Sequence, residues 1–115
     1  MKIFHKGRGI LISAREVSFF GKIIGLMFKT LNSENLLFKF RSSKRRAIHS
    51  FFVFFPFLAV WLDDKNNILE WRIVRPFEHL VLPSVDFRKI VEIPLSDGNY
   101  KIVQFIVGKK KDLNT

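Results

Sequence analysis

IHSFFVFFPFLAVWLD, residues Ile48 to Asp63, is the stretch on which the fold turns. From Phe51 to Leu62 no side chain is charged, and the Trp61 indole is the one group able to hydrogen-bond, so neither side of this segment can face water comfortably. A membrane helix needs about 20 apolar residues, more than this run supplies. Pro56 would also break a helical hydrogen-bond ladder at its middle. Phenylalanine and valine favour a pleated surface, and a run apolar at both parities predicts strands covered on both faces. Ile48 to Phe55 and Phe57 to Leu62 are therefore expected as two strand segments, with Pro56 at a bend, bulge or edge where no ladder donor is needed.

The rest of the chain is organised around that centre. Gly9 to Arg15 reads as a short strand. From Glu16 the period changes: Phe20, Ile23, Ile24, Met27, Phe28 and Leu31 fall at helical spacing, so one helix is expected inside Glu16 to Leu31. Gly21 and Gly25, four apart with Lys22 between them, suit close packing of that helix on a sheet. After the loop Asn32-Ser33-Glu34-Asn35, Leu36 to Arg41 alternates as a half-buried strand with a basic outer face, and Ser42 to Arg46 reads as a polar loop. Asp63 to Asn67 is a turn, and Ile68 to Arg75 returns to make a hairpin with Leu69, Trp71 and Ile73 inward. An irregular connection from Arg75-Pro76 to Ser84 leads to a strand over Arg88 to Ile93, stopped by Pro94. A last strand is expected over Tyr100 to Val107, after the turn Ser96-Asp97-Gly98-Asn99.

These elements predict a mainly β fold, a small antiparallel β-barrel or sandwich with one short helix, at the margin of α+β. The 115 residues, 48% of them hydrophobic, suffice for a single domain with its own core, and residues 109–115 read as a frayed basic tail. With no cysteine, disulfides and thiolate metal sites are excluded. MKIFHKGRGI has charges at Lys2, Lys6 and Arg8 and no apolar stretch before a small-residue cleavage site, so a cytoplasmic protein is expected, without membrane association.

Five landmarks in order, Gly25-Leu26-Met27, Leu36-Leu37-Phe38, His49 to Asp63, Arg75-Pro76 and Val91-Glu92-Ile93-Pro94, resemble the DUF192 family of prokaryotic domains of unknown function. The central stretch looks like the version found in archaeal members. The resemblance covers nearly the whole chain and implies a compact β-barrel with a helix at its side, with no established activity. Many family members carry an Asn-Thr pair before the proline and an aspartate after it, where this chain has Phe54 and Leu58. Any site built from those polar groups is lost here.

Chemistry is sparse. His5, His49 and His79 have no paired-ligand spacing, so neither a metal site nor a cofactor is expected. His49 shares a strand phase with Phe51, Val53 and Phe55, which could place it at an open barrel end with Arg75 as a pocket. Asp63 and Asp64 read as turn residues, and Glu70 and Glu92 face one another only in one strand register. Gly7-Arg8-Gly9 lacks the third glycine and preceding strand of a dinucleotide fingerprint. No residue trio has a catalytic role, so the reading is a non-catalytic binding domain with an unidentified ligand or protein partner. The alternative starts from charge: 20 Lys and Arg against 10 Asp and Glu give +10. Lys39, Arg41, Lys44, Arg45 and Arg46, a basic strand end and loop, could hold a nucleic acid or other polyanion without reading its sequence.

Overall fold

The computed structural model describes residues 1–17, 34–46, 55–76 and 81–108. Two sheets carry these residues. The first is a two-stranded hairpin of β1 (Lys2–His5) and β2 (Arg8–Leu11). The second has five strands: β3 (Ala14–Glu16), β4 (Asn35–Lys44), β5 (Phe57–Leu62), β6 (Ile68–Val74) and β7 (Phe87–Pro94), in the order β3-β4-β7-β5-β6. All neighbours are antiparallel except β3 and β4. The helix α1 (Tyr100–Val107) follows β7 through a single 3-10 turn, Asp97–Asn99. The fold is mainly β with one short helix among the described residues. Among the described residues β3 and β6 remain as edges and the sheets are not closed into a barrel, in keeping with the sandwich-like alternative.

The apolar run organises it as its composition requires. Every residue of β5 is buried, and the strand lies between β6 and β7 with both faces covered. Phe57, Ala59 and Trp61 point into one core, which also holds Leu36, Phe38 and Phe87. Leu58, Val60 and Leu62 point into the other, against Val91 and Ile93. That second core is closed by Ile3 of the hairpin and by Val103, Ile106 and Val107 of α1. Pro56 lies just before β5, where it needs no ladder donor, and its carbonyl accepts a bond from the Leu95 amide.

Three expectations need correction. Tyr100 to Val107 is a helix, not a strand. Its β-branched residues favour a strand locally, but Val103, Ile106 and Val107 recur at helical spacing and are buried, while Lys101 and Gln104 face outward. Strand alternation would have put Gln104 on the same face as Ile102 and Ile106. Gly108, at φ 109, ends the helix. Second, the strand expected over Gly9 to Arg15 is divided between the hairpin and β3, which ends at Glu16. The helix expected within Glu16 to Leu31 lies, beyond Val17, outside the described residues, as does the strand Ile48 to Phe55 up to residue 54. Third, Ser42 to Lys44 continue β4.

Local irregularities also matter. Between Trp61 and Leu62 the register with β6 slips by a residue, and Leu69, expected to face inward, is 41% exposed beside the slip. The β1–β2 turn needs positive φ at both central residues, supplied by Lys6 at 54° and Gly7 at 78°. At Gly9 an added Cβ would come within 2.6 Å of Lys2 Cε and 3.1 Å of Phe4 Cε1.

Candidate functional site

The basic residues singled out from sequence sit around a break in the β4 ladder and just beyond the end of the strand. From Lys39 to Lys44 the strand advances five residues while its partner β7 goes back only two, from Lys89 to Phe87. The extra residues form a bulge, and the Phe40 carbonyl accepts a 2.7 Å hydrogen bond from Nε of Arg88.

The five predicted contacts do different things. Lys39 is exposed and pairs with Glu16 at 3.1 Å. Arg41 and Lys44 are exposed. Arg45 is exposed too, but its Nε donates to the Pro83 carbonyl at 2.7 Å, which aims the guanidinium. Arg46 is half-buried: its guanidinium lies 4.3 Å from the centre of the Phe40 ring and also bonds the Ser42 carbonyl. Phe40 packs edge-on against Phe87, and Phe87 against Trp61, at centroid distances of 5.6 and 6.4 Å. A continuous aromatic path thus runs from the fully buried Trp61 to Arg46, tying the basic strand end to the core.

Of the second predicted pair, His49 and Arg75, only one residue is described. Arg75 is exposed, and His49 lies outside the described residues. The register also answers the question of the two glutamates. Glu70 opposes Trp61 and Glu92 opposes Ala59, so they lie on strands separated by β5 and two positions apart along it. Glu70 accepts bonds from the Ser84 amide and hydroxyl.

Two features escaped sequence reasoning. Glu92 is buried in central strand β7, between Leu36 and Ala59, and burial pushes its carboxyl up to about 8. In sequence a single glutamate among Ile90, Val91 and Ile93 gives no sign that its carboxyl is buried. The other feature is a cleft of about 360 Å³ between the β1–β2 turn and the C-terminal end of α1. His5, Lys6 and Arg8 line one side, Gln104, Phe105 and Gly108 the other. The His5 ring sits edge-on to Phe105 at 6.3 Å. Burial and the neighbouring Lys6 charge hold its pKa below 6.5, against the opposing effect of a hydrogen bond to the Ile106 backbone. No group of three or more His, Asp or Glu side chains among the described residues could hold a metal ion. No described helix is long and apolar enough to cross a membrane.

No protein-family model matches the chain, and no curated protein does. Solved structures do. A protein of unknown function from Novosphingobium aromaticivorans aligns with a TM-score of 0.71 at 10% identity, over 88% of this chain and 75% of its own. A "putative transcription regulator" from Sinorhizobium meliloti aligns with a TM-score of 0.70 at 14% identity, over 88% of this chain and 81% of its own. At these identities the likeness establishes a shared fold.

Proposed function

We propose that this protein is a non-catalytic binding domain of the cytoplasm, and that the exposed end of β4 meets a polyanion through Arg41, Lys44 and Arg45, with Lys39 beside them. The observation that carries the reading is the bulge: between the paired Lys39 and Lys44 it displaces Arg41 from the sheet ladder, and just beyond the strand Arg46, stacked on Phe40, anchors the segment to the core. Arg46 acts here as a support, and the exposed neighbours supply the charge. An overall charge of +10 would draw an anionic chain toward the surface. Recognition would be indifferent to base sequence, because no described element is shaped to enter a groove and read base edges. The neighbour from Sinorhizobium supports the fold, not the activity. The resemblance to DUF192 domains rests on its five landmarks, of which Gly25-Leu26-Met27 and the start of the central stretch lie outside the described residues.

The test is titration of labelled single-stranded RNA and duplex DNA at two salt concentrations. Three phosphate contacts on a single strand should give a log–log salt slope of about −2. The triple variant Arg41→Ala, Lys44→Ala, Arg45→Ala should flatten that slope and weaken binding about tenfold or more, Arg46 being left in place so that the fold is not disturbed. Absence of binding at low salt, or equal binding by the variant, would reduce the strand end to ordinary solvated surface.

A further inference from the structure

We infer that the cleft between the β1–β2 turn and the end of α1 is a binding site for a small organic phosphate monoester, separate from the basic end of β4. Its cations are held by the backbone. The turn fixes Lys6 and Gly7 at positive φ, and His5 pairs with Arg8 across it, so Lys6 and Arg8 are placed at one hairpin tip. Both are exposed, and neither forms an ion pair with a described residue.

The opposite wall is the C-terminal end of a helix, whose carbonyls carry partial negative charge. That offers a simple structural explanation, in which the two cations only complement the helix end. The magnitudes decide against it as the whole account. A helix end amounts to about half a negative charge, reduced further in so short a helix, against two full positive charges. A surplus of more than one positive charge remains in the cleft. The Gly108 amide also satisfies the Gln104 carbonyl, so part of the helix end is already neutralised from within. A phosphate monoester carries a charge of about −1.5 to −2 near neutral pH and matches Lys6 plus Arg8, whereas a carboxylate would leave one of them unpaired.

Size and lining argue for an organic group on that phosphate. The cleft volume of about 360 Å³ falls at the lower end of ordinary small-molecule sites, well beyond what a phosphate alone fills. The half-buried Phe105 ring offers an apolar contact, and the exposed Gln104 amide can both donate and accept a hydrogen bond. His5, held against Phe105 and the Ile106 backbone, keeps the two walls together and is a positioning residue.

AMP is a suitable probe, with adenosine as the control that lacks the phosphate. Titrating each into the full-length protein and following backbone amides by NMR should show AMP binding with a Kd on the order of 1 mM or tighter, with shifts centred on Lys6, Arg8, Gln104 and Phe105. Adenosine should bind about tenfold more weakly or worse. The double variant Lys6→Ala, Arg8→Ala replaces only exposed side chains and should lose about tenfold in AMP affinity with an unchanged melting temperature. The triple variant at Arg41, Lys44 and Arg45 should bind AMP as the unaltered protein does, which separates this site from the polyanion surface. Equal binding of adenosine and AMP, undiminished binding by the double variant, or shifts centred on the end of β4 would each overturn the assignment.

Discussion

The guanidinium of Arg46 lies 4.3 Å from the ring centre of Phe40, and the same group is 5.9 Å from Phe87, so one cation closes the outer end of an aromatic path that begins in the core. Its Nη1 is buried without a hydrogen-bond partner, so the aromatic faces are what compensate its desolvation. Arg46→Ala should therefore destabilise the protein by about 1–2 kcal/mol, the range for a partly desolvated cation–π contact. Arg46→Lys should recover little, because an ammonium cannot stack as a planar guanidinium does. Arg41→Ala, at an exposed position, should change stability by no more than about 0.5 kcal/mol. Urea denaturation of the three variants checks the ranking, and equal effects would mean the stack adds nothing.

Phe57 is the first residue of β5 and is 1% exposed, packed in the core that also holds Trp61 and Phe87. Replacing it with alanine removes a large apolar side chain from a region that can collapse only partly around the hole. A loss of about 3–5 kcal/mol is expected. A loss under about 1 kcal/mol in the same denaturation experiment would mean that the β5 environment is not close-packed. Phe52, in the same apolar run, lies outside the described residues.

The legible parts of the fold were those where local pattern and burial agree. β5 was readable because nothing in Phe57 to Leu62 tolerates water on either side, and β7 because Pro94 stops it. Tyr100 to Val107 was misread because its β-branched residues speak for a strand, whereas the helix is decided by the apolar face presented by Leu58, Val60, Val91 and Ile93, four residues on two strands. The bulge in β4 was hidden for a similar reason: Ser42 and Ser43 read as loop, while the Arg88–Phe40 bond that steadies them joins residues 48 apart in sequence. The basic cluster was found by charge, yet charge does not distinguish the stacked Arg46 from the exposed Lys44. The cleft at His5 left no sequence signal, because its two walls come from opposite ends of the chain.

Asp63 organises the turn between β5 and β6. Its carboxylate accepts from the Lys65 and Asn67 amides and from Nδ2 of Asn67, while Asn66 reaches the hairpin through the Lys2 carbonyl and the Phe4 amide. Partial burial pushes the Asp63 carboxyl up, but the bonds from Asn67 and Lys65 and the Lys65 charge together outweigh it and leave its pKa below 3.8. A depressed acid stabilises the fold above its unfolded pKa, and that contribution is lost as pH falls through the folded value. Asp63→Ala should cost about 1–2 kcal/mol at neutral pH and should remove part of the acid limb of the stability curve. An unchanged acid limb in the variant would place the acid sensitivity elsewhere.

Glu92 sets the opposite limb. It lies between Leu36 and Ala59 with apolar side chains on both sides, and burial raises its pKa from 4.5 to about 8. The cations in register with it stand two strands away on either side, Arg15 beyond Leu36 on β3 and Arg72 beyond Ala59 on β6, both exposed. An acid whose pKa is raised on folding holds a proton in the native state that the unfolded chain has already released. Between pH 4.5 and about 8 the native state therefore binds more protons, and stability falls as pH rises. The slope for one such group approaches about 1.4 kcal/mol per pH unit within that window and vanishes outside it. Glu92→Gln keeps the shape and removes the titration, so the variant should lose this slope and be more stable than the unaltered protein at pH 8, with the smallest difference near pH 5. Urea denaturation of both proteins at pH 5, 6.5 and 8 provides the comparison. Parallel curves across the three pH values would mean that Glu92 is not the group whose ionisation opposes folding.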